Sequence, residues 1–413
     1  MAIKIKCCRI CNNSNLVPII DLGNQFLTGH FAKKPHDSSI ASGPLSLVKC
    51  SGTSDTACGL VQLEHNYDLG MLYGDNYGYR SGLNKSMSDH LQLKVKKILN
   101  TYRPKTGAVI LDIGSNDGTT LSAYPKDFQL IGMDPTAKKF LHYYPSHIKV
   151  ISDFFSSKSF LAAANSKADV ITSFSMFYDL ENPIDFAQQI ADSLNPTDGV
   201  WIFEQSYMPT MLKRVAYDTI CHEHLEYYAL RQIDWILESV GLHTIDIELN
   251  DINGGSISVV AAHKNAKYPI ADSVHSLRKY EESLQLDQLD IYRDFTKATE
   301  DSRENLLSTV RKINQQYGKI NALGASTKGN VILQYCGLTT NEIESVGEVN
   351  SDKFNCFTPG SWIPIKPEAE VLGYENPFLL ILPWHFRDFF VSNSHIKNKK
   401  LLFPLPKIDI VEK

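Results

Sequence analysis

Nowhere in the 413 residues is there an apolar run of about 18 or more, so no membrane-spanning helix is expected. The opening Met-Ala-Ile-Lys-Ile-Lys-Cys-Cys has no secretory apolar stretch. An excess of either charge is also missing: Lys plus Arg total 41 against 46 for Asp plus Glu, a net charge of −5. That balance argues against a dedicated polyanion binder. Fixed-period repeats and low-complexity tracts are not seen either. These absences leave a cytoplasmic enzyme or binding protein, with neither membrane nor nucleic acid as partner. With 43% hydrophobic residues the chain can fill substantial cores, and its length suggests about two to four domains.

The eight cysteines are unevenly spread, with Cys7, Cys8, Cys11, Cys50 and Cys58 ahead of the scattered Cys221, Cys336 and Cys356. In a reducing compartment such a cluster binds metal more often than it forms disulfides. The spacing of Cys8-Arg-Ile-Cys11 lets two thiolates share one tetrahedral ion. Cys50 and Cys58 supply a second pair, with seven turn-forming residues between them instead of two. Four thiolates leave no open coordination position, so the expected Zn2+ is structural.

Residues 1–70 read as irregular, with short strand-like runs at Leu45–Lys49 and Leu60–Leu63. A helix is expected over 83–100, where Leu83, Met87, Leu91, Val95 and Leu99 recur every four residues. Strands then alternate with helix-length segments at Ala108–Ile113, Phe128–Met133, Ile148–Ile151, Val170–Ser173 and Val200–Glu204, the pattern of a parallel sheet with crossover helices. Leu242–Leu249 and Ser256–Ala262, joined through Asn253-Gly-Gly, read as a closing antiparallel pair. After a polar helical stretch from 266 to 316, a second αβ alternation begins at Lys319–Leu323, with strands near Ile343–Val349 and Phe378–Leu382. The fold class is α/β, and three units are the economical reading: a small one at 1–80, then 81–265 and 266–413.

The segment Leu111-Asp112-Ile113-Gly114-Ser115-Asn116-Asp117-Gly118 ends a strand and opens a helix. Its glycines permit a tight turn and close approach of a ligand, and Asp134 ends the next strand where a ribose diol is commonly bound. Asn116 stands where a dinucleotide fingerprint has its middle glycine. S-adenosylmethionine, which has no phosphate to cradle, therefore fits better than a dinucleotide. Asp153-Phe154, Ser173 to Tyr178 (including Ser175) and Glu204-Gln-Ser-Tyr207 follow later strands toward the same crevice.

The densest titratable cluster is Cys221-His222-Glu223-His224-Leu-Glu226-Tyr227-Tyr228. Histidines two apart do not share a helix face, so it is a poor metal site; a His–Glu pair suits proton abstraction better, a structural histidine being the bland alternative. Tyr73-Gly-Asp-Asn-Tyr77-Gly-Tyr79-Arg80-Ser81 offers phenols for a sugar or a carbonyl, or packs a domain seam. Gly324-Ala-Ser326-Thr-Lys328-Gly-Asn330 joins a strand to a helix and suits a diphosphate, though it is not the Walker A loop of ATP hydrolysis. Pro359 to Pro364 and Pro383-Trp384-His385 line a flat ring or form packed turns.

With these motifs the chain resembles the zinc-containing sugar C-methyltransferases that act on nucleotide-linked keto-deoxysugars. The resemblance runs from Cys-x-x-Cys through Tyr79-Arg-Ser, Ile113-Gly-Ser-Asn-Asp-Gly, His222-Glu-His-Leu, Asn253-Gly-Gly-Ser and Gly324-Ala-x-x-Lys-Gly-Asn to Pro383-Trp384. It implies an N-terminal zinc domain, a central class I methyltransferase fold with a seven-stranded Rossmann-like sheet, and a C-terminal Rossmann-like domain holding the sugar nucleotide. It makes His224 the catalytic base, assisted by Glu223 and Tyr79. S-adenosylmethionine is expected on Asp112, Gly114, Ser115, Asn116, Gly118, Asp134, Asp153, Phe154, Ser173 and Ser175. The sugar nucleotide is expected on Tyr77, Arg80, Ser81, Tyr178, Glu204, Tyr207, His222, Ser326, Lys328, Asn330 and Lys353, and zinc on Cys8, Cys11, Cys50 and Cys58. Where the family often has Tyr before His-Glu-His, this chain has Cys221. The implied activity is methyl transfer to C-3 of a nucleotide-linked 4-keto-6-deoxy sugar by a monomer or weak homo-oligomer. An O- or N-methyltransferase, or a sugar-nucleotide sensor without turnover, are the alternatives.

Overall fold

The structure, a computed structural model, describes residues 2–53, 56–72 and 80–413. At its centre lie seven strands: β1 (Val109–Ile113), β2 (Gln129–Met133), β3 (Lys149–Ile151), β4 (Val170–Phe174), β5 (Val200–Ser206), β6 (Leu242–Asn250) and β7 (Ser256–His263). Their spatial order is 6-7-5-4-1-2-3. β1 to β5 pair in parallel, while β7 runs antiparallel to both β5 and β6. The parallel strands read as continuous apolar runs because both sheet faces are covered. Alternation then sorts side chains by face. Val109, Leu111, Ile113, Trp201 and Phe203 join the large core shared by the whole molecule. Ile110, Leu130, Val170, Val200 and Ile202 pack with Val95 and Ile98 of helix Lys85–Tyr102.

The N-terminal unit is more regular than its sequence suggests. Leu16–Phe26 forms an eleven-residue strand paired with Ser42–Cys50. The residues that read as loop punctuation are absorbed by bulges: register shifts occur between Pro18 and Ile20 and between Asp21 and Asn24. Pro18 is tolerated because its strand is an edge of the sheet. The opposite edge is not N-terminal at all. Glu226–Tyr227, directly after His222-Glu-His, pairs with Val61 and Gln62 and completes the four-stranded sheet.

The C-terminal unit carries six strands in the order Ile365–Pro367, Ile343–Glu348, Ile320–Leu323, Phe378–Ile381, Lys400–Phe403, Asp409–Glu412, all parallel except the last. Two helices join the units. Asp272–Ser283 packs on β6 and on helix Leu230–Ser239, so packing of the central unit continues past residue 265. The 28-residue helix Asp290–Tyr317 lies against strands Leu16–Phe26 and Ile320–Leu323. Thr296 Oγ1 donates to the Ile19 carbonyl at 3.0 Å. Among the described residues no helix is long and apolar enough to cross a membrane.

Candidate active site and metal centre

The ligand atoms of Cys8, Cys11, Cys50 and Cys58 lie within 4.8 Å of one another. The closest sulfur pairs are Cys8–Cys58 at 3.5 Å and Cys11–Cys50 at 3.4 Å. Cys8 and Cys11 sit on a turn closed by Asn12 N to Cys8 O at 3.1 Å, while Cys50 ends a strand and Cys58 returns after the intervening loop. Cys7 stands outside the cluster, its sulfur 3.9 Å from Asn12 Oδ1. Hydrogen bonds within the cluster push the Cys8 thiol up and the Cys50 thiol down. Such sulfurs compete for shared protons, which a divalent cation displaces. Four soft donors fit zinc and complete its tetrahedron, so the zinc is structural.

The second site lies at the carboxyl ends of β1, β2 and β4. Gly114 and Gly118 adopt φ of 71° and 75°, the left-handed region open to glycine. Asn116 N donates to Asp134 Oδ2 at 2.9 Å, and Thr136 N to Asp134 Oδ1 at 2.6 Å, fixing that carboxylate at the end of β2. Asp112 accepts from Thr172 Oγ1 at 2.5 Å, and burial pushes its carboxyl up to about 7. A pocket of about 280 Å³ opens beside them, lined by Ile113, Gly114, Met133, Asp134, Phe154 and Met176 among others. Apolar walls around one anchored carboxylate suit an adenosine, so S-adenosylmethionine fits these residues.

Over the turn, Ser115 Oγ meets Tyr144 OH at 2.8 Å, and the same phenol donates to Asn116 O at 2.8 Å. A Cβ on Gly118 would stand 2.7 Å from the Tyr144 ring. Gly118→Ala should therefore weaken S-adenosylmethionine binding roughly tenfold or more, since strain of this kind costs about 1–3 kcal/mol. Calorimetric titration reads the change, and an unaltered Kd refutes the placement.

The third cluster joins all three units around His224. Its Nδ1 lies 2.8 Å from the Thr219 carbonyl oxygen, which can only accept. The ring proton is therefore on Nδ1, and Nε2 keeps its lone pair. Burial first, and the charge of Lys328 second, push this imidazole down to about 3, so it is neutral at physiological pH. Tyr178 packs edge-on against it with ring centroids 4.3 Å apart. Half-buried Glu223 has an Oε2 with no hydrogen-bond partner among the described residues, and burial pushes its carboxyl up. A Cβ on Gly29, from the N-terminal unit, would meet Glu223 Oε1 at 2.7 Å. From the C-terminal unit, Lys328 Nζ donates to Thr219 Oγ1 at 3.2 Å and to the Asn253 carbonyl. Asn253 Nδ2 in turn lies 3.4 Å from Ser175 Oγ after β4. A polar chain thus runs from the cofactor crevice to the imidazole.

Other expected residues are spread more widely. Ser326 caps its helix through Gly329 N at 3.1 Å, and Asn330 Nδ2 donates to Thr28 O at 2.7 Å. Lys353 donates to Ala325 O at 2.7 Å and lies over the Phe31 ring. Asn330 and Lys353 border the N-terminal segment that carries Gly29. His222 is fully buried, 3.3 Å from the Gly43 carbonyl, with its ring against Tyr67. Arg80 pairs with Asp117 and Tyr143, and Ser81 N donates to Asn116 Oδ1 at 3.0 Å, so residues 80–82 lie on the glycine turn. Asp153 is exposed and accepts from Phe154 N at 2.8 Å, while Phe154 borders the pocket.

Three residues are not brought to these clusters. Ser173 receives Trp201 Nε1 at 2.9 Å inside the sheet. Glu204 is held by His90 at 2.6 Å, Lys94 at 2.8 Å and Asn250 at 2.7 Å. Burial opposes its charge, yet that hydrogen bond and cation hold its carboxyl below the usual range. Tyr207 donates to Glu281 Oε1 at 2.7 Å, a carboxylate that also caps Leu230 N. Tyr77 and Tyr79 lie outside the described residues. Asp117, Asp218, Thr219 and Asn253 were not singled out as site residues from sequence. The first lies within the quoted glycine motif; Asp218 and Thr219 immediately precede the His-Glu-His segment, a position that could have drawn attention to them.

Residues 251–406 match the family profile described as a C-methyltransferase C-terminal domain, residues 85–247 that of a methyltransferase domain, and residues 8–73 that of a zinc-binding domain. Along its length the chain is similar to C-methyltransferase NovU of Streptomyces niveus, 25% identical over 411 residues that span 98% of this chain and 96% of that protein. Similar solved structures include an S-adenosylmethionine-dependent methyltransferase from Clostridium acetobutylicum (13% identity, 43% of this chain, 92% of that one, TM-score 0.34). Another is the plantazolicin methyltransferase BpumL bound to SAH (15% identity, 42% and 82%, TM-score 0.33).

Proposed function

Because this chain belongs to the zinc-containing, S-adenosylmethionine-dependent C-methyltransferases, we propose that its acceptor is C-3 of a nucleotide-linked 4-keto-6-deoxy sugar. The observation that carries this is the tautomer of His224, whose Nδ1 proton is committed to the Thr219 carbonyl and whose Nε2 is free to accept. An acceptor carbon becomes nucleophilic only on losing a proton, and a neighbouring ketone makes that proton acidic. A neutral imidazole is the matching base. When bound, S-adenosylmethionine supplies an electrophilic methyl group on a sulfonium centre.

On this reading the residues divide the work. His224 Nε2 takes the C-3 proton. Glu223, the neighbour of that base in the chain, assists it, and Tyr178 fixes the ring plane. Asp134, with Asp112, Gly114, Ser115, Asn116, Gly118, Phe154 and Ser175, holds the methyl donor at the strand ends. Ser326, Asn330 and Lys353 bind the diphosphate end, remote from the reacting carbon, so that binding energy orients the ketone. Tyr79 assists the base, Arg80 and Ser81 meet the sugar nucleotide from beside the glycine turn, and His222 and Tyr77 complete the assignment of the sugar side.

The test is turnover of a panel of dTDP- and GDP-linked 4-keto-6-deoxy sugars and their reduced 4-hydroxy counterparts, with a labelled methyl donor. Mass and NMR should place the label on C-3 of keto substrates only. Label on oxygen or nitrogen, or equal turnover of the reduced sugars, overturns the reading.

A further inference from the structure

We propose that Lys328 is a catalytic residue whose ammonium group binds the sugar carbonyl oxygen as it becomes an enolate. This assignment rests on the keto-sugar reading above. The sequence placed Lys328 at a helix start and suggested a diphosphate contact; the geometry points elsewhere. Thr219 carries both partners: its carbonyl oxygen accepts from His224 Nδ1 at 2.8 Å, and its Oγ1 accepts from Lys328 Nζ at 3.2 Å. Base and cation therefore hang from one residue at a fixed separation. A carbon acid needs that arrangement, because the departing proton and the oxygen that gathers charge sit on adjacent carbons.

The ammonium has three donors, and Thr219 Oγ1 and the Asn253 carbonyl occupy two. A Cβ built on Gly254, at φ 91°, would stand 3.7 Å from Lys328 Nζ, 3.7 Å from His385 Cβ and 3.8 Å from Trp384 Cζ2. Because the residue there is glycine, no side chain packs against the amine from that side. Buried Asp218 favours the positive charge of that amine; it accepts from Trp384 Nε1 at 2.8 Å through Oδ2 and leaves Oδ1 without a partner among the described residues. Burial lowers the Lys328 pKa and Asp218 opposes that shift. His224, Lys328 and His385 are each half-buried, so each keeps part of its surface uncovered.

The step balances within the substrate and two side chains. The C-3–H bond breaks and its proton goes to His224 Nε2. The bonding pair forms a C-3–C-4 double bond, and the carbonyl π pair moves onto oxygen. Lys328 donates a hydrogen bond to that oxygen and transfers no proton. A donor aimed at developing charge contributes roughly 10²- to 10³-fold in rate.

The experiment is solvent-deuterium exchange at C-3 of dTDP-4-keto-6-deoxyglucose without methyl donor, followed by NMR for wild type, Lys328→Met and Lys328→Arg. Lys328→Met should lose about 100-fold in exchange with sugar-nucleotide KM little changed. Its kcat/KM acid limb should move to higher pH. The groups that set that limb are His224 itself, Lys328 from its helix, Asp218 and Glu223 on the histidine segment, Tyr178 and His385. Removing the cation among them favours imidazolium. Lys328→Arg keeps a cation and should recover part of the rate with the limb unmoved. A raised KM with exchange intact at saturation reassigns Lys328 to the phosphates and overturns the proposal. Equal loss in both variants with unchanged pH profiles marks a structural strut and also overturns it. Wild-type protein that places the methyl label of this sugar on oxygen and exchanges no hydrogen at C-3 overturns the keto-sugar reading instead, before any variant is made.

Discussion

His224→Ala should abolish both methyl transfer and donor-independent deuterium exchange at the acceptor carbon, a loss of about 10²–10⁴-fold, while S-adenosylmethionine still binds. The two activities fall together because both need the same proton removed. Cofactor binding survives because Asp134 and the glycine turn are fixed by contacts that do not involve His224. The pH dependence follows from the depressed pKa. The base works as neutral imidazole, and in the folded protein burial and Lys328 hold it to about 3, well below the ordinary 6.5 of histidine. The rate is then sustained as pH falls through 6.5 and is lost only as pH approaches the folded value. Because kcat/KM reports the free enzyme, its acid limb should lie clearly below 6.5. Exchange retained in His224→Ala, or a limb at 6.5, removes the histidine from this role.

Cys58→Ser, or exhaustive chelation, should release zinc and unfold the N-terminal unit. Structural zinc contributes about 10–16 kcal/mol of binding free energy in zinc-finger peptides, comparable to the whole stability of a typical domain. The damage should reach the histidine, because the zinc turn and the strand that follows His224 share contacts. Arg9, between two of the ligands, donates to Gln62 Oε1 at 3.2 Å and to the Leu63 carbonyl at 2.8 Å. It also stands 3.7 Å from Glu226 Oε1. Glu226 and Tyr227 are themselves a strand of the zinc unit's sheet. Metal analysis should find one zinc per chain in the wild type and none in Cys58→Ser. Thermal unfolding should move down by roughly 10 °C or more, and deuterium exchange should vanish with it. A metal-free protein that keeps its melting temperature and its exchange activity refutes the coupling.

The central sheet was legible because its strands are short apolar runs closed by turn residues. The expected and observed bounds of β1 and β2 differ by one residue at their starts. The long N-terminal strand was not, since Pro18, Gly23 and Asn24 mark loops in a sequence and bulges in a bent edge strand. The site was legible motif by motif and illegible in its assembly. Lys328 and Thr219 are 109 residues apart, and no spacing rule joins them. Ser173 and Ser175 differ for a local reason. The first faces Trp201 within the strand, while the second leaves it at φ 55° and reaches Asn253. Tyr178 and Tyr207 both follow strands; one packs on His224 and the other is drawn to Glu281. Which way each turns depends on partners far along the chain.

The strand that the catalytic segment lends to the N-terminal sheet restricts how such proteins can be recombined. A chimaera taking residues 1–72 from a relative would cut between Val61–Gln62 and their partners Tyr227 and Glu226, and between Gly29 and Glu223. Donor and recipient seams would then have to match at residues beside His224. Exchanging the first module together with 217–228 preserves those pairings, so the unit to exchange is a discontinuous one.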